Sequence, residues 1–187
     1  MEKKVAVFLD RDGVINRDKR NLRLIKELRL IPGAGRAIRE INRLGYLVIV
    51  VTNQPVIARG LLDERGLEVI HGVLKRRLHR HKAAVHAIYY CPHHPKDGNG
   101  PYTKKCNCRK PSTGLLRAAL KKYDIDSRRS FMVGDMTGDI AMGEKMKMQT
   151  ILVKTGWGGT DGRHAMRPDF VARNLHAAVS IIKRHGK

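Results

Sequence analysis

Two short stretches of this sequence hold carboxylates where chemistry is readily placed. Phe8-Leu9-Asp10-Arg11-Asp12-Gly13 sets two acids directly after an apolar run, and Met132-Val133-Gly134-Asp135 sets a third after another. Convergent carboxylates suit Mg²⁺, a hard ion that takes oxygen ligands and commonly a substrate phosphate with them. The spacing of Asp10 and Asp12 serves phosphoryl transfer: one carboxylate attacks phosphorus, and the other protonates the leaving oxygen and later activates water. A cation must screen that attack, because carboxylate and phosphate repel. Taken singly, acids after strands are turn residues and helix caps.

A second cluster has softer ligands. Cys91-Pro92-His93 and Cys106-Asn107-Cys108 offer three thiolates and an imidazole, the ligand set of a closed structural Zn²⁺ site, with His94 as a competing ligand. The odd number of cysteines and their crowding speak against a disulfide framework and for a reducing, cytoplasmic compartment.

These residues need a frame. Apolar runs at 5–9, 47–52, 85–90, 130–133 and 150–153 read as strands. Helical patterns near 34–44, 63–81, 113–123 and 139–147 lie between them, and a final helix falls near 174–183. Strand–helix–strand repetition predicts an α/β fold with a doubly wound parallel sheet, in which acids at carboxyl ends of strands meet where the strand order reverses. Gly45 reads as a C-terminal cap, and Ser112 or Thr113 as an N-cap. Residues 91–111 carry no periodicity, and the whole chain, 1–187 with its metal loop 91–108, reads as one domain. About 40 residues separate the first acids from Thr52, filled by one loop and one helix, so no cap domain fits there.

Four ordered motifs make the sequence resemble the haloacid dehalogenase phosphatases: Asp10-Arg11-Asp12-Gly13-Val14, Thr52, Lys110, and Gly134-Asp135 with Asp139. The resemblance implies that Asp10 is the nucleophile and Asp12 the general acid/base. It places Mg²⁺ on Asp10, the backbone carbonyl of Asp12 and Asp135, and the transferring phosphoryl group on Thr52 and Lys110. The run Cys-x-His…Cys-x-Cys-Arg-Lys-Pro further resembles the zinc-bearing subgroup of heptose-bisphosphate and histidinol phosphatases, which carries substrate contacts onto Thr52, Asn53, Gln54, Arg109 and Lys110. Phe8 to Asn16 and Thr52-Asn53-Gln54 with Ile57-Ala58-Arg59-Gly60 look more like the heptose enzyme. Three places depart from it: Pro55-Val56 after Gln54, Asn21-Leu22-Arg23 in the first loop, and Met136 in place of a lysine. Arg17, Lys19, Arg20 and Arg23 make that loop basic, which suits a second phosphate or another anion.

The 187 residues carry 38 basic and 17 acidic side chains, a formal charge of +21. Such an excess attracts polyanions or small phosphorylated ligands, or simply solvates the surface; a thermostabilising ion-pair network would need more acids. No apolar segment approaches the ~18 residues of a spanning helix, so a soluble chain with no membrane partner is expected. The expected substrate is a small sugar bisphosphate. Histidinol phosphate and the 3′-phosphate of a nucleic acid are enzymatic alternatives, and a basic zinc-containing nucleic-acid-binding module is the non-enzymatic one. Aromatics at 5% leave few stacking platforms for single strands, and a monomer is favoured. His71, His79 and His81 read as surface decoration of a helix, Trp157 as the anchor of a glycine-rich loop, and Asp139 as a capping or orienting acid.

Overall fold

The computed structural model describes residues 3–98 and 100–186. Among them six strands form one parallel sheet: β1 (Ala6–Leu9), β2 (Leu47–Asn53), β3 (Ala87–Cys91), β4 (Phe131–Gly134), β5 (Gln149–Val153) and β6 (Phe170–Ala172). Their order is β3-β2-β1-β4-β5-β6, so the chain winds outward from β1 in one direction and from β4 in the other. Leu9 pairs with Val133 at this reversal, and the crevice that parallel sheets open at such a point lies directly beyond both residues.

Alternation along β1 divides the core. Val7 and Leu9 face a cluster containing Ile38 and Ile41 of α1 (Ala34–Arg43), Ile70 and Leu74 of α2 (Glu64–His79) and Val179 and Ile182 of α5 (Leu175–His185). Ala6 and Phe8 face the other cluster, with Leu116 and Ala119 of α3 (Gly114–Tyr123) and Met142 of α4 (Thr137–Lys145). Burial on both faces explains why the strands read as continuous apolar runs.

The predicted elements are present with shifted ends. α4 begins at Thr137, two residues before the predicted start, and α2 ends at His79. Gly45 follows α1 with φ +84 as a glycine after a helix should, whereas Thr113 occupies the cap position of α3 without capping it. Its hydroxyl accepts instead from Nε of Arg117, 3.0 Å away. A one-turn 3₁₀ helix (Ile25–Glu27) and the three-residue β6 were not predicted. No described helix is long and apolar enough to cross a membrane.

Candidate active site

Asp10, Asp12 and Asp135 stand just past β1 and β4, and the backbone brings them together tightly. Gly13 has φ +79, and a Cβ there would lie 2.2 Å from Oδ2 of Asp135; at Gly156, φ +65, it would lie 2.1 Å from the same atom. Two glycines are therefore required for Asp135 to sit between the first loop and the loop after β5. The Trp157 amide fixes Asp135 by donating to Oδ2 at 2.8 Å. Trp157 anchors its loop as expected, its Nε1 donating to Asp18 at 3.1 Å, and it also lines the cavity.

That cavity, about 300 Å³, exposes Asp10, Asp12, Asn53, Arg109, Lys110 and Asp135 together. Lys110 Nζ lies 2.8 Å from Oδ1 of Asp10 and 2.6 Å from Asp139, and it donates to the Val51 carbonyl at 3.2 Å. Despite burial, those two carboxylates hold the lysine well above its usual pKa, so it stays charged. Asn53 Oδ1 accepts from the Lys110 amide at 3.1 Å, joining the end of β2 to this segment. Asp139 caps α4 by accepting from the Met136 amide at 3.1 Å, in keeping with its expected orienting role.

Asp12 is held differently. Nη2 of Arg11 lies 2.8 Å from its Oδ2, Asn16 Nδ2 donates to Oδ1 at 2.8 Å, and Gln54 Nε2 donates to Oδ2 at 2.9 Å. Burial raises its pKa, but the Arg11 charge and the Asn16 and Gln54 donors outweigh it, so Asp12 rests ionised. Gln54 also donates to Thr52 Oγ1 at 2.9 Å. Gln54 and Thr52 thus sit buried behind Asp12, while Asn53, Arg109 and Lys110 reach the cavity wall.

Asp10, Asp135 and Asp139 offer carboxylate oxygens within 4.8 Å of one another. Oδ1 of Asp135 is buried with no hydrogen-bond partner among the described residues. Burial and the mutual repulsion of these acids push the pKa of both Asp10 and Asp135 upward. Hard oxygen donors gathered under strain, one of them orphaned, fit a divalent cation such as Mg²⁺.

The softer cluster also assembles. Sγ of Cys91, Cys106 and Cys108 lie 3.1–3.5 Å apart, and Nδ1 of His93 is 3.4 Å from Cys108 and 3.7 Å from Cys91. The edge of a tetrahedron around zinc at ~2.3 Å is about 3.8 Å, close to these separations. His94 lies outside the cluster: its Nδ1 accepts from the Asp97 amide at 2.8 Å, which removes it as a competing ligand. Arg109 Nη1 donates to the His93 carbonyl at 3.0 Å, so the Cys/His loop and the cavity wall are one piece.

Sequence reasoning erred at His71. The residue is buried, 7% exposed, with Nε2 3.0 Å from Nη1 of Arg11; His79 and His81 are exposed as expected. The signal was available, because His71 falls in register with Leu67, Ile70, Leu74 and Leu78 on the buried stripe of α2. Arg11 was the other omission: a fully buried cation between two acids asks for a partner.

A family model described as HAD-hydrolase-like matches residues 107–178. The D-glycero-β-D-manno-heptose-1,7-bisphosphate 7-phosphatase of Pasteurella multocida is 41% identical over 182 residues, covering 96% of this chain and 97% of that one. The chain belongs to the haloacid dehalogenase-like phosphatases, in the heptose-bisphosphate phosphatase family. An α-anomer phosphatase of Photorhabdus laumondii is also 41% identical, over 82% of this chain and 84% of that one, so relatives of both anomeric names are among the similar proteins. The crystal structure of the D,D-heptose 1,7-bisphosphate phosphatase from B. bronchiseptica, complexed with magnesium and phosphate, superposes with a TM-score of 0.85 at 32% identity, covering 96% of this chain and 98% of that one. Membership in this family makes the protein a phosphatase.

Proposed function

We propose that this phosphatase removes the 7-phosphate of a heptose 1,7-bisphosphate through an aspartyl-phosphate on Asp10. The observation that carries the mechanism is the cavity that presents Asp10 against Lys110, with Asp12 on the same wall. An oxygen of Asp10 attacks phosphorus, the ester oxygen leaves with a proton from Asp12, and Asp12 then takes a proton from the water that attacks the phosphorylated Asp10. Inorganic phosphate departs and both carboxylates are restored. An incoming phosphate dianion raises the proton affinity of Asp12, which takes a proton from solvent for the first step and returns one to solvent after the second. Its resting ionised form is the one the second step needs.

Asp10, Asp135 and the Asp12 carbonyl would hold Mg²⁺, which supplies positive charge to the phosphoryl oxygens when bound. Lys110, beside Asp10, would add positive charge to the same oxygens, and Asn53 positions it. Thr52 and Gln54 contribute through Asp12 and the local backbone rather than from the cavity wall. Cys91, His93, Cys106 and Cys108 would hold a structural Zn²⁺, all four coordination positions being protein ligands. Its role would be to fix Arg109 and Lys110 beside the nucleophile.

Charge at the cavity mouth favours a bisphosphate over histidinol phosphate. Arg20, Arg59, Arg109 and Arg163 all line it, attracting a second phosphate and repelling the ammonium of histidinol. Kinetics with heptose 1,7-bisphosphate, histidinol phosphate and a 3′-phosphorylated oligonucleotide at one ionic strength test the proposal. The bisphosphate should lead in kcat/KM by at least about tenfold, the value of roughly 1.4 kcal/mol of extra transition-state binding. Preference for either alternative ester overturns it, and tight oligonucleotide binding without hydrolysis of any ester would favour a nucleic-acid module.

A further inference from the structure

Asp12 is reached from α2 by a line of buried polar groups that the mechanism above does not use. The Arg11 guanidinium is fully buried. Its Nε and Nη2 face Asp12, at 3.3 Å and 2.8 Å, and Nη2 also donates to Gln54 Oε1 at 2.9 Å. Nη1 points the other way, 3.0 Å from Nε2 of His71. A guanidinium has no lone pair to offer, so this bond has one polarity: Nη1 donates and Nε2 accepts. The imidazole is therefore neutral, with its proton on Nδ1, and burial together with the Arg11 charge pushes its pKa down to about 3.

We propose that His71 is a positioning residue for the acid/base carboxylate: by accepting from Nη1 it fixes the plane of the Arg11 guanidinium, and through that plane the direction in which Asp12 faces the cavity. The proposal rests on Asp12 being the acid/base group. A planar fork held along one edge by a carboxylate can pivot about that edge; a partner on the opposite nitrogen stops the pivot. Without His71, Nη1 would face the apolar stripe of α2 unpaired, which a buried N–H does not tolerate, and the fork would turn to regain a partner. Asp12 would turn with it. Misplacement of a catalytic group by about 1 Å can cost about a hundredfold in rate.

The alternative is that His71 merely fills space under Arg11. Three variants separate the two roles: His71→Leu keeps bulk without an acceptor, His71→Gln puts a carbonyl oxygen near the place of Nε2, and His71→Asn carries an acceptor too short to reach Nη1. Each is assayed for melting temperature, kcat and KM on a sugar phosphate, whose poor leaving group needs the proton of Asp12. Positioning predicts a kcat lowered about tenfold or more in His71→Leu, KM within about twofold, and recovery to within about threefold in His71→Gln. Wild-type kcat in a folded His71→Leu overturns the proposal, as do equal losses in the leucine and glutamine variants or a loss confined to KM. Should leucine prevent folding, the glutamine and asparagine pair decides: glutamine active with asparagine impaired supports positioning, and equal activities overturn it. Asp12→Asn measured alongside keeps the two levels apart. Wild-type kcat there removes the acid/base assignment itself, whereas impairment there with wild-type His71→Leu removes only the positioning role.

Discussion

Three side chains hold the Asp12 carboxylate directly, and its environment differs from that of the neighbouring acids. Asp10 and Asp135 are buried among acids and pushed toward protonation, while Asp12, two residues from Asp10, is kept ionised by Arg11, Asn16 and Gln54. A divalent cation on Asp10 and Asp135 would offset the repulsion between them and keep Asp10 in the ionised form that attack on phosphorus requires. His71 adds a consequence for stability. Its pKa is about 3 when folded against 6.5 in the free side chain, so the unfolded chain binds a proton first as pH falls. That contribution to stability is complete above about pH 6.5 and drains away between about 6.5 and 3, below which both states are protonated. Denaturant melts from pH 7 to pH 4 should show a shallower loss of stability in His71→Gln than in the wild type. Parallel curves would mean that the ring is not kept neutral by its surroundings.

Strand ends and loops carry the site, and they differ in how openly the sequence displays them. Asp10 and Asp135 were legible because β1 and β4 are uninterrupted apolar runs that stop at an acid. The doubly wound parallel sheet followed from strand–helix alternation, and the Cys/His cluster from ligand types that have few other uses. β6 was not legible: Phe170–Ala172 is too short for a period, and part of what holds it is Asp169, which accepts from the Thr150 amide and lies equally near its hydroxyl, both at 2.8 Å. Nor was the place of Gln54 legible, since facing Asp12 rather than the cavity depends on Arg11 lying beneath it. The Cys/His loop makes the element-scale prediction. Cys108→Ser should release zinc under mild chelation and lower the melting temperature by about 5 °C or more, the shift expected for about 2 kcal/mol in a chain of this length. Elemental analysis and melting curves check it. Protein expressed with ample metal yet containing no zinc would refute the staple.

Charge is the property of the whole molecule that the catalytic residues do not explain. An excess of 21 positive charges raises the local concentration of phosphorylated ligands around the entire surface, and four arginines at the cavity mouth continue that field inward. The effect belongs to encounter. Raising salt from about 0.05 to 0.5 M shortens the screening length from ~14 Å to ~4 Å and should lower kcat/KM for a bisphosphate several-fold while leaving kcat nearly unchanged. A kcat that falls in parallel would place the charge dependence in the chemical step instead.

The covalent step on Asp10 is the centre of the account, and trapping it is the most direct measurement. In Asp12→Asn the amide cannot take a proton from water, but a leaving group as good as p-nitrophenolate departs without acid help, so the first step proceeds and the second stalls. Acid quench after mixing this variant with Mg²⁺ and p-nitrophenyl phosphate, followed by peptide mass spectrometry, should find one phosphoryl group on the peptide containing Asp10 and none when Asp10→Asn is added. A phosphoryl group on any other residue, or p-nitrophenolate release that survives Asp10→Asn, would contradict it.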